Sequence, residues 1–274
     1  MQYKVLQPFA RGGVAELLMI QCQDGRRALL RRLLPQNILN FKRQGQFRRG
    51  ASIRAAVGSH PNLVASLEHG SRFFVPYEII EYVEGENLKT YCNSRRQIPL
   101  ENTLEMLRQA ALGLASVHQA GYMHLDVKPE NFLLRKGGVQ VLLTDFDLAR
   151  EASDQGPRPQ HGTPAYMAPE QFTRHVATPA SDVFAFSVMA YFMLTRKMPF
   201  TGQTEHAAWR NQASESVVAT PPGEYNPNIS RSVNQAIRRG LAKRPGDRFP
   251  DMGAWLSCAF GDDLAGKVRK ELRN

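Results

Sequence analysis

His124-Leu125-Asp126-Val127-Lys128-Pro129-Glu130-Asn131 lies near the middle of a 274-residue chain, and fourteen residues beyond Asn131 comes Asp145-Phe146-Asp147. Further on stands Gly162-Thr163-Pro164-Ala165-Tyr166-Met167-Ala168-Pro169-Glu170. An isolated Asp126 would read as a polar loop residue. Lys128, Asn131 and Asp145 add a cation and further hard oxygen donors to the same short stretches.

The flanks of these stretches differ in character. Before them the chain reads as strands: Tyr3–Leu6 and Glu16–Cys22 around the Arg11-Gly12-Gly13 turn, then Arg27–Leu34 after the hairpin signal Asp24-Gly25. Residues 41–58 predict one basic helix despite Gly45 and Gly50, and Phe73–Val83 is a largely apolar run. After it the pattern is mostly helical. Asn102 with Glu105 predicts a capping box, Leu104, Leu107, Ala111, Leu114 and Val117 recur at helical spacing, and Gly121 closes the segment. Asp182–Leu194, apolar nearly all round, predicts a buried helix.

At this point the chain resembles the eukaryotic-like (Hanks-type) Ser/Thr protein kinases, a family also found in bacteria, from about Tyr3 to about Gly261. The resemblance implies an α+β, bilobal protein-kinase fold over residues 1–262. A small β-rich lobe with one regulatory helix (about 1–83) would join a helical lobe (about 84–262) through a hinge near Glu81–Gly85, and 263–274 would be a tail. It implies ATP and Mg2+ as cofactors and Ser or Thr hydroxyls of proteins as acceptors. Asp126 would orient the acceptor hydroxyl and take its proton, Lys128 would contact the γ-phosphate, and Thr163 would steady Asp126. Asn131 and Asp145 would hold the Mg2+ ions. Gly12, Leu17, Leu29, Arg31, Ile80, Glu81, Val83 and Leu133 would surround the nucleotide, with Ile80 at the gatekeeper position and Leu133 as the adenine floor. Glu170 with Arg248, Asp182, His124 and Phe146 would be architectural.

The same alignment exposes departures. The glycine-rich loop becomes Ala10-Arg11-Gly12-Gly13-Val14-Ala15-Glu16-Leu17, keeping one family glycine. Ala28-Leu29-Leu30-Arg31 stands for V-A-I-K, so Arg31, or Arg32 in a shifted register, replaces the lysine, with Arg11 a further candidate for the phosphate contact. The partner glutamate is missing, with Gly50 or Ala51 in its place and no acidic residue in that helix. Asp147 replaces the glycine of D-F-G and Leu125 the arginine of H-R-D, and residues 148–162 offer Ser153 as their hydroxyl acceptor. An active kinase and a non-catalytic pseudokinase scaffold therefore both stand. A small-molecule kinase ranks below them, because such relatives generally lack the Gly162–Glu170 segment.

The composition, 42% hydrophobic and 22% charged, excludes disorder. The net charge of +10 is local: between Gly25 and Leu67 there is no Asp or Glu, but Arg26, Arg27, Arg31, Arg32, Lys42, Arg43, Arg48, Arg49 and Arg54. Nucleic-acid binding is not favoured, since the aromatics available for stacking there are Phe41 and Phe47. An acidic regulatory protein on Arg43, Arg48, Arg49 and Arg54 is the partner expected. Met1–Gly12 is no signal peptide, and Val183–Leu194 falls short of the ~20 residues of a membrane span. Cys22, Cys92 and Cys258 fit reduced thiols of a cytoplasmic protein.

Overall fold

In the second strand, Ala15, Leu17 and Met19 point to one face and Leu18, Ile20 and Cys22 to the other, and both faces are covered. A computed structural model, which describes residues 2–154 and 163–261, builds this strand into a five-stranded antiparallel sheet. The strands are β1 (Tyr3–Arg11), β2 (Ala15–Cys22), β3 (Arg27–Leu33), β4 (Ser66–Arg72) and β5 (Val75–Glu81), in the order β1-β2-β3-β5-β4, with helix α1 (Phe41–Val57) between β3 and β4. Gly162 and the tail 263–274 lie outside the described residues.

Sheet parity decides what faces the lower lobe. In β3, Ala28 and Leu30 pack with Leu18, Ile20 and Ile79 on the upper face. Leu29 packs with Met19 and Ile80 on the opposite face, and Leu33 packs there with Ala15 and Phe47 of α1.

The larger lobe contains β6 (Gly85–Asn87), α2 (Leu88–Ser94), α3 (Leu100–Gln119), β7 (Tyr122–Met123), β8 (Phe132–Arg135), β9 (Val141–Leu143) and β10 (Arg150–Glu151), followed by α4 (Pro169–Thr173), α5 (Pro179–Thr195), α6 (Glu205–Ala213), α7 (Pro222–Tyr225), α8 (Arg231–Gly240) and α9 (Met252–Phe260). α5 is buried almost throughout and packs against α3, α8 and α9, as its all-round apolar composition predicts. Chain segment 62–64 runs beside β9: Val64 N–H donates to Leu143 O at 3.0 Å and Leu143 N–H to Asn62 O at 2.8 Å, tying the lobes together behind the site.

Three local expectations change. The helix predicted to start at the Asn102–Glu105 box starts a turn earlier, at Leu100, so Asn102 lies inside α3, while Glu105 pairs with Arg108. The Pro at position 99 sets the extended entry that a capping side chain would otherwise supply. The apolar run Phe73–Val83 is also not one strand. Phe73 and Phe74 form the two-residue turn between β4 and β5, both at positive φ (49° and 66°) and both exposed. β1 extends to Arg11, beyond the apolar Tyr3–Leu6 segment, because its mostly exposed residues still pair with β2 through the backbone.

Candidate active site

The central loop leaves β7 at His124, whose backbone N–H donates to Asp182 Oδ2 at 2.7 Å. The next N–H, that of Leu125, donates to Asp182 Oδ1 at 2.8 Å. Asp182 sits in the first turn of α5, is almost fully buried, and receives His118 Nε2 at 3.1 Å as well. A carboxylate accepting three bonds in the core holds this turn rigidly. It has to, because Leu125 is held at φ 63°, a left-handed geometry that branched residues avoid.

From the next residue on, the loop gathers the polar set. Asp126 Oδ2 lies 2.7 Å from Lys128 Nζ. Asn131 Nδ2 donates to the same oxygen at 2.8 Å and to the Asp126 carbonyl at 2.7 Å. Donation through nitrogen leaves the Asn131 amide oxygen as an acceptor. Thr144, next to Asp145, donates its N–H to Asn131 O at 2.9 Å, which brings the second acidic segment alongside. Asp145 itself adopts φ 61°, which Asp tolerates better than most residues. Thr163 and Asp126 line one small cavity together with Val127, Tyr166 and Gln171. Among the described residues no three His, Cys, Asp or Glu side chains converge as a metal cluster, so oxygen ligation here would rest on the Asn131 amide and the Asp145 carboxylate.

The apolar residues named from the sequence also converge. Leu29, Ile80 and Val83 are buried in one cluster with Met19, Val64 and Leu142, and Leu17 and Leu133 pack against it. Leu29 sits opposite Ile80 in the β3–β5 register and fills space between them. Glu81 ends β5, donates its N–H to Ala65 O and pairs with Arg135. Gly12 stands between β1 and β2 and closes the turn by donating its N–H to Ala15 O at 2.9 Å.

The charged side of this face is arranged differently from the expected pattern. Arg31, and not Arg32, points inward: Arg32 is half-exposed and pairs with Glu16 across β2, whereas the Arg31 side chain is 11% exposed. Arg11, at the exposed end of β1, is remote from this inward-facing set in strand order. Arg31 donates through Nη1 to Glu78 Oε1 at 2.9 Å and through Nη2 to Asp147 Oδ2, with its guanidinium 4.7 Å above the Phe47 ring. Burial opposes the charge, but the carboxylates of Asp147, Glu78 and Asp145 outweigh it and hold the Arg31 pKa above its ordinary value.

The counter-charge that α1 lacks is thus supplied by Glu78 on β5. Glu78 escaped the sequence reading, yet a signal was available. Arg31 and Glu78 are direct antiparallel partners, two positions from the Leu29–Ile80 pair, so both project to the same face. A glutamate in a run otherwise destined for burial needs a cation.

Helix α1 contributes a cation to that carboxylate. Arg54 is 3% exposed, with Nε 3.4 Å from Glu78 Oε2, and its guanidinium lies 4.8 Å from the Phe146 ring. Phe146 meets His124 edge-to-face at 5.1 Å, so Arg54, Phe146 and His124 form one column. This corrects the expected acidic-partner surface. Arg54 is committed internally, and Arg49 is partly buried and donates to Ala149 O at 3.2 Å, leaving Arg43 and Arg48 exposed. Of the two positions that could have carried the missing glutamate, Gly50 is sterically closed, for a Cβ there would meet Phe146 O at 2.6 Å.

Behind the site, Arg248 makes a bidentate pair with Glu170, both bonds 2.8 Å, and Ser181 Oγ donates to Glu170 Oε1 at 2.6 Å. This buried group ties α4, α5 and the Pro245–Asp247 turn together.

A two-lobed fold with this Asp-Lys-Asn loop at the junction defines a class, and comparison with known proteins names it. Residues 9–254 match the model of the protein kinase domain, and the chain belongs to that family. It is 30% identical over 258 residues to a probable serine/threonine-protein kinase of Streptomyces coelicolor, covering 90% of this chain and 38% of that one. The serine/threonine-protein kinase PrkC of Bacillus subtilis is 28% identical, covering 98% and 42%, and PknA of Mycobacterium tuberculosis (H37Rv) is 30% identical, covering 94% and 60%. The chain therefore spans between 38% and 60% of these curated relatives' length.

Proposed function

We propose that this domain transfers the γ-phosphoryl group of ATP to Ser or Thr hydroxyls of protein substrates. The observation that carries this reading is the shared Asp126 oxygen, held by Lys128 and Asn131 at 2.7 and 2.8 Å. Asp126 would orient the acceptor hydroxyl and take its proton; a carboxylate fixed by two donors is pre-aimed for that task. Lys128, pivoting from Asp126, would meet charge on the transferring group. Asn131 and Asp145 would hold Mg2+ through the amide oxygen and the carboxylate, a donor set that suits a hard cation. Bound Mg2+ supplies neutralisation of phosphate charge. Leu17, Leu29, Ile80, Val83 and Leu133 would enclose the adenine, with Glu81 and Val83 offering backbone groups.

A second reading, a binding module without turnover, is favoured by one observation: both edges of the Arg31 guanidinium already hold carboxylates. Among the described residues no helix is long and apolar enough to cross a membrane. We place the domain in the cytoplasm on the fit of its scattered cysteines to a reducing compartment. An acidic partner on Arg43 and Arg48 is part of this proposal.

Titration calorimetry with ATP tests the enzymatic reading. Binding should require Mg2+ and weaken at least tenfold in Asp145→Asn, in proportion to the loss of a charged metal ligand. Absence of binding at millimolar ATP would favour the scaffold.

A further inference from the structure

Arg31 stands between two carboxylates that differ in burial and in the charge behind them. Glu78 projects from the middle of β5, its side chain is 1% exposed, and Arg54 backs its second oxygen. Removing Arg31 from Glu78 would weaken the compensation of a buried charge. Asp147 lies in the loop after Phe146, its side chain is 24% exposed, and Oδ2 holds Arg31 while its buried Oδ1, like Glu78 Oε2, has no hydrogen-bond partner. Turning toward water would hydrate an oxygen that is unsatisfied where it stands. The two contacts also use different nitrogens, Nη1 for Glu78 and Nη2 for Asp147, so the second can open while the first stays closed.

The charge count points the same way. Arg31 and Arg54 face Glu78, Asp147 and the neighbouring Asp145; with Asp145 given over to the cation, departure of Asp147 leaves Arg31 and Arg54 one positive charge in excess over Glu78. Asp145 is close by: its Oδ1 accepts from the Asp147 N–H at 3.4 Å, and its charge acts on Arg31. An anion entering there completes the charge balance next to the carboxylate that would hold the cation. The stacking of the guanidinium on Phe47 keeps its plane fixed through the exchange.

We infer that Asp147 is a displaceable latch on Arg31, that Glu78 is the permanent counter-ion replacing the acid absent from α1, and that a phosphate of the nucleotide binds by taking the place of Asp147. The inference rests on the ATP-dependent reading and deepens it. It assigns Glu78 and Arg54 as positioning residues for Arg31, and makes Asp147 a brake on nucleotide affinity. The steric closure at Gly50 gives the reason for the rearrangement. With α1 pressed on the Phe146 carbonyl, the counter-ion has to come from the neighbouring strand.

The test is Mg2+·ATP affinity of the full chain by calorimetry, for the unaltered protein and for Asp147→Asn, with a thermal melt of each. Asp147→Asn is isosteric and removes only the charge. It should tighten binding about tenfold, within the range typical of coupling between sites, and lower KM for ATP while kcat changes little. Glu78→Gln should act in the opposite direction, and Glu78→Asp should restore part of the affinity. Where the unaltered protein binds and Asp147→Asn binds equally or more weakly, the latch is wrong and the ATP-dependent reading survives. Where neither protein binds at millimolar ATP, both fall. Binding by Asp147→Asn alone would support both.

Discussion

Gly50 shows how one residue without a side chain shapes the site. In mid-helix, glycine costs about 1 kcal/mol relative to alanine, so a helix that keeps it needs a reason. The reason here is contact: a Cβ would lie 2.6 Å from Phe146 O and 2.9 Å from its carbonyl carbon, both backbone atoms that cannot swing away. Gly45 in the same helix has nothing within 4 Å of its Cβ position. The two positions should therefore respond with opposite sign. Gly45→Ala is expected to stabilise the fold by roughly 0.5–1 kcal/mol, and Gly50→Ala to destabilise it by about 1–3 kcal/mol through overpacking. Urea denaturation of both variants measures the pair, and a stabilising Gly50→Ala would contradict the close docking of α1 on the Asp145-Phe146-Asp147 segment. Sequence alone marked Gly50 or Ala51 as the place of a missing acid. It could not show that the place is filled by backbone, because the approach of residue 146 is a tertiary fact.

Helix α1 carries two classes of arginine that composition cannot separate. Arg43 and Arg48 are exposed, whereas Arg54 is buried against Glu78 and Phe146. Charge reversal should separate them. Arg48→Glu should shift stability by no more than about 0.5 kcal/mol. Arg54→Glu would place two carboxylates face to face in the core, at a cost of about 3–5 kcal/mol or more. Guanidinium melts compare them, and equal losses would mean that the inward arginine does not carry the charge balance. The helix was legible as basic and its span nearly so, Phe41–Val57 against a predicted 41–58. Its orientation was not, since its apolar residues do not form a clean stripe. The facing direction comes from partners on β5 and the Phe146 loop, both distant in sequence. Strand parity, by contrast, was readable: pairing Leu29 with Ile80 already implies Arg31 with Glu78.

At the scale of the molecule, ordered motifs made the two-lobed architecture and the central loop legible. Asp126, Lys128, Asn131 and Asp145 occur in short stretches whose spacing is local, so the chain order already brings the first three together. Less legible was the charge economy between lobes. The basic window that dominates the net charge of +10 includes Arg54, which is buried, and Arg31, which is partly buried, both answered by carboxylates from other segments, Glu78 and Asp147. Part of an apparently docking-prone basic surface is thus an internal electrostatic group at the junction of the lobes.

Transfer of phosphate itself is the claim on which the account depends. The direct measurement is incubation with γ-labelled ATP, Mg2+ and a library of Ser- and Thr-containing peptides, comparing the protein with Asp126→Asn. The account predicts label on Ser or Thr, reduced about 10²–10⁴-fold in the variant as expected for loss of a general base, with ATP affinity little changed. Label transfer equal in both proteins, or absent from both while ATP binds, would contradict it.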